Sequence, residues 1–154
     1  MKRVTFAGAV CCLSLGLGFT IAQAHDEGHG PKLTDVSKQG GVVSPVIDLK
    51  DVKKGAKAAV FYKAELVRDE DGMVNIYLYD KEMNALDISK FEKVAKGEVE
   101  TEKKGKYTKV PFALKLVEGV FTGQPPKPST KPFNIDVTLK EGGKELLVAF
   151  DNLD

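Results

Sequence analysis

Residues 58–80, "AAVFYKAELVRDEDGMVNIYLYD", hold two β-branched and aromatic runs around the polar stretch Arg68–Gly72. Val60, Tyr62, Ala64 and Leu66 fall on one parity of the first run. Val74, Ile76 and Leu78 do the same on the second, and Asp71-Gly72 is a turn pair between them. Side chains alternate across a strand with period two, so this pattern predicts a β-hairpin with one buried face. A hairpin cannot bury that face alone, so the rest of the chain must supply the cover.

The same signature recurs downstream. "EVETEKKGKYTKVPFALKL" (98–116) alternates on both sides of "KKGK", which predicts a second hairpin, with Pro111 marking an edge strand or a bulge. "FNIDVTLKEGGKELLVAF" (133–150) predicts a third, turning at "EGGK". Upstream, "VVSPVIDL" (42–49) favours an extended strand restricted by Pro45, and "DVKKGAK" reads as a connection. Ile88, Phe91 and Val94 recur at three-residue spacing after Asp87 and predict one short helical turn. "QPPKPSTKP" (124–132) reads as an extended proline link. About seven strands joined by turns, without long alternating helices, lead to an all-β fold. The expectation is an antiparallel immunoglobulin-like sandwich over 42–154, with a closed barrel as the structural alternative.

At the other end, Lys2 and Arg3 precede an uncharged apolar run that finishes at Ala22-Gln23-Ala24. A basic start, an apolar middle and a small-x-small close make residues 1–24 a secretory signal peptide. The glycines and the serine of the run argue against a retained anchor. Cleavage after Ala24 leaves 130 residues with 21 basic and 22 acidic side chains, a balance near −1. Both cysteines, Cys11 and Cys12, leave with the leader, so the mature domain must be held by its core rather than by disulfides. The expected location is periplasmic or secreted. Neither nucleic acid nor an anionic membrane is suggested by the balance, and no insertion into the bilayer is expected once the leader is cut.

Residues 25–41, "HDEGHGPKLTDVSKQGG", are expected to form a flexible, polar arm, ordered at most near its end, that carries the chain's two histidines. Cleavage before His25 would give that residue a free amine, which can chelate a metal together with its own imidazole. His29 can add a second imidazole through Gly28. Nitrogen-rich sets of this kind suit Cu(II), Ni(II) or Zn(II). The chemistry competes with a simpler reading, a solvated spacer, because ordering such an arm costs entropy.

No serine stands in a nucleophile-elbow setting, no glycine-rich phosphate loop follows a strand, and the predicted domain body has no histidine to act as a general base. The carboxylates are scattered through charged turns. Tyr77 and Tyr79 share the parity opposite to Ile76 and Leu78, which suits packing at an edge of the fold more than a recognition patch. The chain therefore reads as a non-enzymatic binding or accessory domain.

Taken together, "KAELV", "GMVNIYLYD", "VPFALKL" and "FNIDVTLKEGGKELLVAF" resemble small periplasmic β-sandwich domains found alone or at the front of heavy-metal efflux adaptor proteins. The resemblance covers most of the mature chain, and its most specific stretch is "VNIYLYD". It implies an accessory role near metal transport, with Cu or Zn as cargo and an efflux or other periplasmic protein as partner. It carries His25 and His29 over as metal candidates and Glu65 as a distant one, whose plainer reading is a solvent-facing strand residue. Lys63 stands where relatives often carry a histidine, and the lead-in is sparser in histidine than theirs. The competing expectation is a structural or protein-interaction domain with no metal role.

Overall fold

The computed structural model describes residues 30–154. Eight strands run in chain order: β1 (Val42–Asp48), β2 (Val60–Arg68), β3 (Val74–Tyr79), β4 (Val94–Lys103), β5 (Lys106–Val117), β6 (Val120–Gly123), β7 (Phe133–Glu141) and β8 (Lys144–Leu153). All pairings are antiparallel, and the strands close in the order β1-β2-β3-β6-β5-β4-β7-β8.

The three predicted hairpins are present as β2-β3, β4-β5 and β7-β8. They are not stacked as two sheets. The immunoglobulin-like sandwich is corrected by three long-range pairings that join the hairpins edge to edge. β6, the short run "VFTG", pairs Ile76 of β3 with Phe121 and on its other side pairs with the end of β5. β4 pairs along β7, setting Val99 against Ile135. β1 then pairs with both β2 and β8, placing Val46 opposite Val148 and closing the ring. An eight-stranded barrel is just wide enough for its own side chains to fill. Phe121, Phe150, Ile76, Leu114, Ile135, Leu139 and Leu146 do so, each at most 1% exposed. Closure lets one sheet cover its own apolar face, so no second layer is needed.

The helical content also differs from expectation. No helix forms around Ile88, Phe91 and Val94; Phe91 makes an isolated bridge to Glu141 and packs its ring edge-on to Tyr62 at 5.7 Å between centroids. Two of the three residues at that spacing turn toward the barrel, Phe91 buried and Ile88 half-buried, while Val94 opens β4 on its outer face and stays 52% exposed. Instead the "connection" after β1 winds into a 3-10 segment, Leu49–Lys57, whose first turn Asp48 caps by accepting from the Lys50 N–H at 2.9 Å.

One end of the barrel, the lower end, holds the β7-β8 turn and the 3-10 segment. There Tyr62 donates to both oxygens of Glu141, at 2.9 and 3.0 Å, and Lys90 lies 3.5 Å from the same carboxylate. At the upper end the 124–132 segment crosses from β6 to β7 without strand structure. It is tied down by Thr101 Oγ1 to Ser129 Oγ at 3.1 Å and by Thr130 Oγ1 donating to the Glu102 carbonyl at 3.0 Å. The β4-β5 hairpin projects past this crossing. Its turn, Lys104-Gly105, has positive φ at both residues (54° and 75°), the type I′ geometry that fits the twist of two strands.

Candidate functional site

Residues 30–41 lie as an extended strap on the outside of β1 and β2. Exposure alternates along it: Leu33, Asp35 and Ser37 are half-buried against the barrel, whereas Lys32, Thr34 and Val36 face solvent. Gly30 rests on the lower half of β1, where a Cβ would come within 3.0 Å of the Pro45 ring and 3.2 Å of Ile47. The strap then climbs past Lys63, whose Nζ donates to Asp35 Oδ1 at 2.6 Å. It ends at Gly41, where a Cβ would fall 2.1 Å from the Leu66 carbonyl oxygen, so only glycine permits the chain to pass so close before entering β1.

Glu65 fastens the upper end. Its neighbours in β2, Ala64 and Leu66, point into the barrel, so Glu65 points outward, yet it is 0% exposed because the strap covers it. Oε1 accepts from the amides of Gln39 and Gly41, both at 2.8 Å. Oε2 accepts from the Lys38 amide at 2.9 Å and from the Tyr79 hydroxyl at 3.3 Å. Burial alone would push this carboxyl up, but the amides of Gly41, Lys38 and Gln39, with the tyrosine, outweigh it and hold Glu65 below the ordinary carboxylate value. The Tyr79 hydroxyl is correspondingly raised, first by burial, with the facing Glu65 charge adding to it. Lys38 lies over the Tyr79 ring at 5.8 Å, so the tyrosine predicted to pack at an edge is sandwiched between strand and strap.

Of the candidate metal residues, His25 and His29 lie outside the described residues, and the description begins one residue after His29. Glu65 is neither exposed nor idle. A carboxylate offers about four lone-pair positions, and four donors already occupy them. A cation at Glu65 would have to displace one. Among the described residues no group of three or more His, Cys, Asp and Glu side chains is arranged to hold a metal ion. The carboxylate clamp was not foreseen from sequence. Its one local signal is the Gly40-Gly41 pair that closes the arm.

A second feature is an open cleft of about 400 Å³ at the upper end, between the β2-β3 turn and the proline segment. Its floor is Phe133, with the Arg68 guanidinium stacked 5.1 Å above the ring and donating to the Asp154 carbonyl at 2.6 Å. Glu70 and Asp71 rim one side; Pro125, Pro126 and Pro128 form the other. The cleft thus sets the acidic rim of Glu70 and Asp71 against a proline wall that also carries Lys127. No helix among the described residues is long and apolar enough to cross a membrane. Comparison with protein families, curated proteins and solved structures gives no match, so function is argued from the geometry of this chain.

Proposed function

We propose that this chain is an exported, non-enzymatic accessory domain, periplasmic or secreted, that handles a transition metal through the histidines preceding the strap. The barrel is the scaffold and residues 25–29 are the working element. The observation that carries the reading is the anchoring of residues 30–41. The residue covalently attached to His29 rests on Pro45 and Ile47, and the strap beyond it is pinned by Asp35–Lys63 and by Glu65. An arm free over all of its length would lose backbone entropy of about 1–2 kcal/mol for each residue ordered by a metal. With the strap already fixed, that cost falls only on the few residues around the histidines.

The ligand set is His25, through its imidazole and a free amine, with the His29 imidazole; Cu(II) should bind more tightly than Zn(II) by the usual affinity order. A role beside a metal efflux protein follows from the resemblance and rests on it. The test is calorimetric titration of the exported protein with Cu(II) and Zn(II), alongside mass spectrometry of its N-terminus. One equivalent should bind, and His29→Ala or acetylation of the terminal amine should weaken binding at least tenfold. Absence of stoichiometric binding, or an N-terminus other than His25, would overturn the metal role.

A further inference from the structure

We infer that the cleft at the upper end of the barrel is a binding site for an aromatic amino acid, a flat apolar ring that carries one ammonium and one carboxylate. No residue of the histidine arm takes part. The cleft stands at a barrel mouth and holds about 400 Å³, within the roughly 300–1,000 Å³ typical of small-molecule sites. Its two walls are fixed before any ligand arrives. Gln124 Nε2 donates to the Asp71 carbonyl at 3.4 Å, which ties the start of the proline segment to the β2-β3 turn. Thr101–Ser129 and Thr130–Glu102 fasten the far end of the segment to β4. A proline wall held at both ends loses little freedom when a ligand settles on it.

The floor selects a flat body. Arg68 shares the inward parity of Ala64 and Leu66 in β2, so its side chain lies over the mouth, where one face of the guanidinium takes the Phe133 ring. Arg68 makes no ion pair among the described residues. Its Nη1 donates to the Asp154 carbonyl, and its Nε is buried without an acceptor. The positive charge is therefore uncompensated, the condition under which a guanidinium gains most from a π face. A ligand ring on its second face continues the stack. Pro125, Pro126 and Pro128 supply an apolar side wall for the same ring.

The charges around the cleft select what the ring carries. Glu70 and Asp71 rim one side and Lys127 stands on the opposite wall, all three exposed and in no ion pair among the described residues. Asp69, the next carboxylate of the turn, is engaged, accepting from the Met73 amide at 2.8 Å. Asp154, bonded to Arg68 through its carbonyl, does not line the cleft. With Arg68 beneath, the lining carries two positive and two negative charges. A purely cationic ligand meets Arg68 and Lys127, and a purely anionic one meets Glu70 and Asp71. A ligand with both charges gains at both walls, its ammonium at the carboxylates and its carboxylate at Lys127. An aromatic α-amino acid holds that pair on one carbon beside the ring that the floor and the prolines receive.

Amide NMR titration of the isotope-labelled exported protein in metal-free buffer tests this. L-Tryptophan should give saturable shifts at Gly72, Gln124 and Phe133 and none at Lys38, Gln39 and Gly41 of the strap. An exposed ion pair is worth up to about fivefold in affinity. Tryptamine, which lacks the carboxylate, and indole-3-propionate, which lacks the ammonium, should each bind about that much more weakly, and L-alanine, which lacks the ring, should not saturate. E70Q/D71N removes the anionic rim and keeps a turn-forming residue beside Gly72. It should lower the affinity for L-tryptophan to that for indole-3-propionate and leave the latter no weaker. K127Q should likewise bring L-tryptophan down to tryptamine. The inference is overturned by any of three results: no saturable shift at the cleft with L-tryptophan, tryptamine or indole-3-propionate binding as tightly as L-tryptophan, or E70Q/D71N weakening L-tryptophan and indole-3-propionate alike.

Discussion

Glu65 is the residue on which the strap depends, and its chemistry sets a pH dependence. Its carboxyl is held below its unfolded value, so it contributes stability that is present above the ordinary carboxylate range, about pH 4.3, and is lost as pH falls through the lower folded value. The strap should therefore loosen in acid before the barrel does. Amide exchange at Lys38, Gln39 and Gly41 should accelerate on going from pH 6 to pH 3.5 by more than that of barrel amides, after correction for intrinsic rates. Glu65→Gln keeps one acceptor oxygen but turns an amide N–H₂ toward a backbone donor, and a buried unpaired group costs about 1–3 kcal/mol. Urea denaturation should show that loss at pH 7, and the acid sensitivity of the strap amides should disappear with it. Nothing in "KAELV" marks this glutamate as buried, because outward parity normally means solvent; the covering segment comes from elsewhere in the chain. A second residue-scale constraint of this kind, after Gly41, sits at Gly97, where a Cβ would lie 2.4 Å from the Phe112 ring. Gly97→Ala should cost about 1–3 kcal/mol by overpacking, read as a lowered urea midpoint with an unchanged slope.

At the level of elements, the hairpins were legible because their information is local. Alternation, "DG", "KKGK" and "EGGK" all lie within a few residues of the pairing they specify. The helical turn fails for the same reason: Ile88 and Phe91 turn inward from a loop crossing the barrel end, and Val94, at the same spacing, is an outward residue of β4, so local apolar spacing imitates a helix where none forms. Pro111 marks an edge or a bulge by its chemistry alone, and the register explains its place. With Lys103 and Lys106 flanking a two-residue turn, Glu98 and Pro111 form a non-hydrogen-bonded pair. The proline's missing N–H thus faces away from β4, along the stretch of β5 that β6 does not reach, since β6 pairs only with Lys115–Val117. An unpaired edge is an aggregation hazard, and proline and lysine are the usual guards. Pro111→Thr should keep the fold yet restore an outward N–H beside Tyr107 and Lys109. We expect concentration-dependent self-association by analytical ultracentrifugation, with monomer retained when Lys is placed there instead.

At the level of the whole molecule, what the sequence leaves open is how the hairpins meet. A sandwich and a barrel use the same alternating strands and the same buried residues. They differ only in long-range pairings, and those involve the least conspicuous segments: β6 has four residues, and β1 meets β8 through only Val46, Ile47 and Asp48. The expectation of two stacked sheets fails at those short contacts. Closure can be tested directly because a mature chain starting at His25 has no thiol. Ile47 and Leu147 are register partners on the outer face of the closing pair, and partners in an antiparallel ladder have Cα atoms about 4.5–5.5 Å apart, within the span of a disulfide. Stacked sheets sit about 10 Å apart, beyond that span. Ile47→Cys with Leu147→Cys should therefore oxidise to an intramolecular disulfide, seen as a loss of two hydrogens in the intact mass and as faster migration on a non-reducing gel. The bridge spans about 100 residues, so the chain-entropy estimate gives at most about 4.7 kcal/mol of stabilisation, reversed by reductant. Free thiols persisting in the folded protein under oxidising conditions would mean that β1 and β8 do not close the ring.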